Sequence, residues 1–197
     1  IRLVDYNQNN VLDSLIIPNT DITSAAISND KSKLIIALIE KNISPNIYKI
    51  QIRNLNLAGF PILAEIVTNA PSYNLKITPD DQKLVELSAQ RTRLNLRDIN
   101  SLNVLSFINA EQEKTIGDFV LSDNKIYSYQ PYSIVFNGNN KLVYKLTRYD
   151  INSLNPETSQ YLTNVLSYKV ELCGNNLYLC TSSPLDQKNI VGLFVKK

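Results

Sequence analysis

What this chain can do chemically is bounded first by what it lacks. Its 197 residues include no His, which removes the commonest general base, the usual metal ligand and the physiological pH switch together. Ser-His-Asp and Cys-His nucleophile systems therefore cannot be built within it. Cys173 and Cys180 are its two thiols, too few for a zinc site of His and Cys ligands. Five scattered glycines make no loop that could cradle a phosphate. Carboxylates remain: Asp5, Asp98 and Asp150 sit in similar local contexts. Converging carboxylates are the tools of glycoside hydrolysis, but an Asp that returns at one local position is what backbone turns select. The expectation is no catalytic residue, no metal ligand and no cofactor.

Two groups of residues could instead bind. Arg91, Arg93 and Arg97, with Lys83, form a candidate basic patch for a phosphate or an acidic protein surface. The competing reading is an alternating strand that turns its charged side to water. Tyr127, Tyr129, Tyr132, Tyr144 and Tyr149 fall close together around Phe136. Tyr joins a large apolar body to a polar tip and is enriched at interface hot spots, so a projecting segment that carries several is a docking candidate. Alternatively, the same tyrosines pack inside a sheet.

Charge adds little direction. A net charge of +2 with interspersed signs gives no strong field toward nucleic acid or a membrane surface. No run reaches the roughly 18 to 20 apolar residues needed to span a bilayer. If Cys173 and Cys180 flank a turn at Gly174-Asn175-Asn176, they do not oppose each other and are expected to stay as free thiols. That fits a reducing, cytoplasmic setting.

The elements that would position these residues are organised by a phrase that occurs twice. Asp-Ile-Asn-Ser-Leu-Asn occupies residues 98–103 and again 150–155. Arg53-Asn54-Leu55-Asn56 lies on Arg97-Asp98-Ile99-Asn100 as a degraded copy, and Val4-Asp5-Tyr6-Asn7 supplies a fourth. From Asp5 to Asn54, Asp98 and Asp150 the steps are 49, 44 and 52 residues, a period that marks a propeller, solenoid or array. A second phrase keeps the same period: Ile27-Ser28-Asn29-Asp30, Ile77-Thr78-Pro79-Asp80, Leu121-Ser122-Asp123 and Leu172-Cys173-Gly174 each precede a new apolar run. Between the phrases lie short runs that read as strands. Residues 33–40 are continuously apolar at their centre, as in a strand buried on both faces, whereas 47–53 and 93–97 alternate. In the third copy, residues 125–130 are followed by Pro131, and Asn137-Gly138 between apolar runs signals a hairpin that prolongs the second and third strands beyond their sheet.

Ile77-Thr78-Pro79-Asp80-Asp81-Gln82-Lys83-Leu84, followed by Leu94-Asn95-Leu96-Arg97-Asp98-Ile99-Asn100-Ser101, resembles one blade of the WD-repeat and YVTN-type β-propellers. The chain departs from the WD pattern at the residue before the Asp, where Val4, Arg53, Arg97 and Tyr149 stand in place of Trp. Without His and Trp, the buried Asp-His-Ser/Thr-Trp network of that family cannot form. The resemblance implies an all-β fold of four-stranded antiparallel blades: a half-blade at 1–20, blades at 21–68, 69–110 and 111–163, and a partial blade at 164–197. A piece of a larger ring is favoured over a closed four-bladed one.

The expected function is a non-catalytic scaffold that binds protein partners, within a multi-subunit assembly, through inter-blade loops and the 125–149 hairpin. Tyr127, Tyr129, Tyr132, Phe136, Tyr144, Arg91 and Arg93 are the candidate contacts. The rival is a small-molecule or carbohydrate-handling propeller, a carboxylate-dependent hydrolase among them, with its site at the ring centre.

Overall fold

Seventeen β-strands and no α-helix make up the secondary structure of the described residues. A computed structural model describes residues 2–5, 10–41, 44–111, 115–122, 124–163, 167–173, 176–182 and 189–195. Strands β1 (Arg2–Asp5) and β2 (Asn10–Ser14) form an antiparallel pair. Three four-stranded antiparallel sheets follow in chain order. The first is β3 (Thr20–Ile27), β4 (Lys33–Glu40), β5 (Ile47–Asn54) and β6 (Ile62–Thr68). The second is β7 (Ser72–Ile77), β8 (Lys83–Ser88), β9 (Arg93–Asp98) and β10 (Val104–Asn109). The third is β11 (Asp118–Ser122), β12 (Lys125–Phe136), β13 (Asn139–Asp150) and β14 (Pro156–Thr163). A three-stranded sheet of β15 (Ser167–Cys173), β16 (Asn176–Ser182) and β17 (Asn189–Val195) completes the order.

The apolar patterns explain how the sheets stack. On β4, Leu34, Ile36 and Leu38 pack with Leu15 and Phe60, while Ile35 and Ala37 meet Leu75 and Leu84 of the second sheet. The continuous run is thus buried on both faces, each full burial of such a side chain being worth roughly 1.5–3 kcal/mol. In the second sheet Leu84 faces back toward the first, whereas Val85, Leu87, Leu94 and Leu96 face Phe119 and Ile126 of the third. The second sheet is therefore a layer between two neighbours.

The repeated phrase closes these seams. In both copies the Asp N–H donates to the final Asn carbonyl at 3.0 Å, and the Leu N–H donates to the Asp carbonyl at 2.9 Å. One Asp carboxylate oxygen accepts from the next Asn N–H and from the Ser N–H and Oγ, at 2.8–3.0 Å around Asp98 and 3.0–3.1 Å around Asp150. Leu102 and Leu154 both take φ 60°, a left-handed conformation that other residues rarely adopt. The turn uses that bend to drive two apolar side chains inward: Ile99 and Leu102 fill the seam between the first and second sheets, Ile151 and Leu154 that between the second and third. The degraded copy does the same with two extra residues. Asn54 Oδ1 caps the Asn56 N–H at 2.9 Å, the Leu55 N–H binds the Ser32 carbonyl as the Ile99 N–H binds that of Gln82, and Phe60 (φ 48°) takes the inward place of Leu102.

Strand β10 starts at Val104, because Leu102 belongs to the turn. Two sequence expectations shift. Strand β12 runs without a break through Pro131, which lies opposite Tyr144 where β11 has already ended at its Asp118–Tyr129 pair; a sheet tolerates Pro at such an edge. Finally, the polar side of β9 and β5 is not turned to water: Arg53, Gln51, Asn95 and Arg97 are all buried. Cys173 lies opposite Asn176 and Cys180 opposite Lys169, so the two thiol positions do not oppose each other.

Candidate partner-binding surface

Strand β9 alternates so that Leu94 and Leu96 enter the seam with the third sheet, which turns Arg93, Asn95 and Arg97 toward the first. There they meet Glu86, which β8 places directly opposite Asn95. Glu86 is 3% exposed, and a carboxylate that deep needs partners. It accepts from Ser72 Oγ at 2.6 Å, Asn95 Nδ2 at 3.0 Å and Arg97 Nε at 2.7 Å. Arg97 Nη1 also donates to the Leu102 carbonyl at 2.8 Å, which ties the network to the repeated turn. Arg97 directly precedes the repeated Asp-Ile-Asn-Ser-Leu-Asn phrase, so the buried Ser-Glu-Asn-Arg cluster sits beside that turn.

The equivalent positions of the other sheets are filled differently. The first sheet has Ile36, Gln51 and Arg53, where Arg53 donates to Gln51 Oε1 at 2.9 and 2.6 Å and to the Phe60 carbonyl at 2.9 Å. Burial pulls the Arg53 guanidinium below its usual pKa. The third has Ser128, Thr147 and Tyr149, with Thr147 Oγ1 3.1 Å from Ser159 Oγ.

Arg91 and Arg93 end up beside one another in chain but stacked on different rings. The Arg91 guanidinium lies 3.9 Å over Tyr73 of β7, and that of Arg93 lies 3.7 Å over Phe107 of β10. Both rings are exposed, at 42% and 49%. Arg91 occupies the turn from β8 to β9 with φ 57°. Its carbonyl accepts from the Ile116 N–H at 2.6 Å, so this turn and the segment before β11 share one end of the sheets. The repeated turns lie at the opposite end.

The β12–β13 hairpin rises from that same end. Pairing with β11 stops at Tyr129 and pairing with β14 at Val143, yet β12 and β13 pair with each other out to Phe136 and Asn139. At about 3.3 Å per residue the ribbon runs roughly 23 Å past the end of β11 pairing and roughly 13 Å past the end of β14 pairing. Asn137 (φ 51°) and Gly138 (φ 76°) make the tip, as an Asn-Gly turn of the I′ kind requires. Val135 near the tip is 72% exposed.

The tyrosines divide. Tyr127, Tyr129 and Tyr144 are 9%, 3% and 5% exposed, which places them in the packed alternative rather than on offer to a partner. Tyr129 and Tyr144 sit 6.0 Å apart at 59°, and burial pushes the Tyr129 hydroxyl above its ordinary pKa. Tyr132 lies opposite Val143 and Phe136 opposite Asn139; their side chains lie outside the described residues. Sequence reasoning missed Glu86, Tyr73 and Phe107. The usable signal for the first was a lone carboxylate in the apolar strand Leu84-Val85-Glu86-Leu87.

No protein-family model matches the sequence, and no curated protein matches it. Solved structures do. The β-propeller domain of Cps50 (Swd1) from Myceliophteria thermophila is 14% identical, with 98% of this chain and 58% of that one covered at TM-score 0.68. The Pan2 WD40 domain of Neurospora crassa is 12% identical, covering all of this chain and 60% of that one at TM-score 0.65. The fold is that of a divergent β-propeller. Each four-stranded sheet is a blade. The computationally designed Ika4 protein is also similar, at 14% identity and TM-score 0.63, with 94% of this chain and 98% of that chain covered. The chain thus spans about three fifths of the two natural domains. No helix among the described residues is long and apolar enough to cross a membrane.

Proposed function

We propose that this propeller is a non-catalytic scaffold that binds protein partners at the end of the blades carrying the β12–β13 hairpin and the Arg91 turn. The hairpin carries the reading, because its last four residue pairs, roughly 13 Å of ribbon, lie past the described pairing of both β11 and β14 and offer edge and side-chain surface to another molecule. Arg91, stacked on the exposed Tyr73 ring, lies at the same end, and Arg and Tyr are the residue types that dominate interface hot spots. The likeness to a WD40 domain supports the same use. On the first strands of the first and third sheets, the described carboxylates that the rival hydrolytic reading could use are already engaged: Asp21 pairs with Lys41 at 2.5 Å, and Asp118 accepts from Asn74 Nδ2 at 2.7 Å and from the Phe119 N–H at 2.8 Å.

Replacing residues 133–142 by Asn-Gly shortens the ribbon while keeping its turn geometry. Affinity capture with this variant, and with Tyr132→Ala plus Phe136→Ala, is expected to lose partners at an unchanged melting temperature. Capture that survives shortening would overturn the proposal.

A further inference from the structure

Between β6 of the first blade and β9–β10 of the second lies a cleft of about 370 Å³, within the size range of small ligand sites. We infer that this cleft receives the acidic side chain of a docked peptide segment, with Arg93 as the group that grips its carboxylate; the inference rests on the scaffold reading. Arg93 is already held for the purpose. Its Nε donates to Asn95 Oδ1 at 2.7 Å, Asn95 is itself oriented by its bond to Glu86, and the guanidinium plane lies on Phe107. Among the described residues, no hydrogen bond uses either Nη of Arg93, and the residue lines the cleft. A planar fork with orientation fixed beforehand is the arrangement that binds a carboxylate in bidentate fashion at low entropic cost.

The neighbouring charges select the ligand. Arg97 also lines the cleft, but Glu86 and the Leu102 carbonyl occupy it, so its charge is balanced and one guanidinium charge remains. That matches a single carboxylate. A phosphate dianion would meet only one open guanidinium and the Glu86 carboxylate nearby, and phosphate recognition relies on arginine clusters. The first-blade wall carries Ile66 and Val67, and Val104 of β10 lines the arginine side; the last two are 68% and 41% exposed. Such a wall suits the methylene stem of a Glu side chain.

The test titrates the intact chain with three blocked tripeptides, acetyl-Leu-X-Leu-amide with X as Glu, Gln or phosphoserine, and with glutarate. Binding is read by NMR at Arg93 Nε and at the amides of residues 66–68. The expected result is that the Glu peptide binds at least about tenfold tighter than the Gln and phosphoserine peptides and glutarate. Arg93→Gln should remove that preference, and Arg93→Lys, which keeps the charge but not the fork, most of it. If Arg93→Gln lowers the melting temperature, Val104→Glu serves instead, since it puts a competing carboxylate into the cleft at an exposed position and should also abolish binding. Equal binding of the Gln peptide, tighter binding of phosphoserine, or glutarate binding as well as the Glu peptide would overturn the inference. Loss of peptide preference with hairpin-dependent capture intact would sink the cleft alone. Peptide preference retained with capture independent of the hairpin would sink the scaffold reading alone.

Discussion

The Glu86–Arg97 pair offers the sharpest test of how the second blade is held. Both groups are deep, with side chains 3% and 10% exposed, and Nε and Oε2 are 2.7 Å apart. Removing one partner of a buried pair strands the other, at a typical cost of about 3–5 kcal/mol. Arg97→Leu leaves Glu86 with two neutral donors and also frees the Leu102 carbonyl; Glu86→Leu strands Ser72 Oγ, Asn95 Nδ2 and Arg97 Nε. Each single variant should therefore lose about 4 kcal/mol, a fall in melting temperature of roughly 8–16 °C for a chain of this size. The double variant replaces the pair by two apolar groups, and what remains unsatisfied is Ser72, Asn95 and the Leu102 carbonyl, at about 1–3 kcal/mol each, less what cleft water repays. Its loss should be about 5 kcal/mol rather than the sum of about 8, a coupling of about 3 kcal/mol. Urea denaturation of the four proteins measures it. Additive losses, with coupling under about 0.5 kcal/mol, would refute the view that the two charges act as one unit.

Two further outcomes follow from the turns and the tyrosine packing. Asp30 is lowered from 3.8 to about 2, first by the Ser28 hydroxyl and then by the Ser32 N–H; Asp80, Asp98 and Asp150 are lowered too, chiefly by the Thr78 hydroxyl and by the backbone N–H groups of Ser101 and Asn152 respectively. A carboxyl whose folded pKa is depressed contributes stability that is complete above the unfolded value and lost as pH falls through the folded one. The melting temperature should hold down to about pH 4 and drop toward pH 2, and Asp98→Asn with Asp150→Asn should flatten the drop; a flat profile in the parent protein would contradict the turn chemistry. At Gly117, a Cβ would lie 2.0 Å from Cε2 of the Tyr129 ring, so Gly117→Ala should cost about 1–3 kcal/mol as an overpacked site does, and adding Tyr129→Leu should recover most of it in the same denaturation assay.

The blades were legible because their turns are spelled in letters that cannot be exchanged freely. Asp98 and Asp150 bond their own backbone in the same way, and Leu102 and Leu154 repeat the same φ, so the period of the turns reports the period of the sheets. The outer strands were harder to read. On β6 and β10 Ile62, Leu63, Val67, Val104, Leu105 and Phe107 are exposed, which blurs the apolar-in alternation used to read a strand. Arg97 misled for the opposite reason. Alternation identifies two faces of a strand but not which is wet, and in a stacked blade neither is. The fate of its charge depended on Glu86, which lies across the sheet and is reached only through register. The same holds for Arg91 and Arg93, whose stacking rings come from β7 and β10.

Where the copies agree and where they differ then separates two kinds of work. Ile99 and Leu102, and Ile151 and Leu154, seal the seams between the described blades, a task the repeated turns share, so those residues carry no information about a partner. The cross-strand column has no such constraint: Ile36-Gln51-Arg53, Glu86-Asn95-Arg97 and Ser128-Thr147-Tyr149 are three solutions at one register. The second is the copy in which a further arginine, Arg93, is fixed by that column and left facing a cleft. The third has no charge in its column, and its second and third strands run on into the hairpin. Both departures lead toward the end of the blades that carries the Arg91 turn, away from the repeated Asp turns. A partner that engages this propeller by its distinctive features has to approach from that end, and substitutions at the Asp turns should then change stability without changing whom it binds.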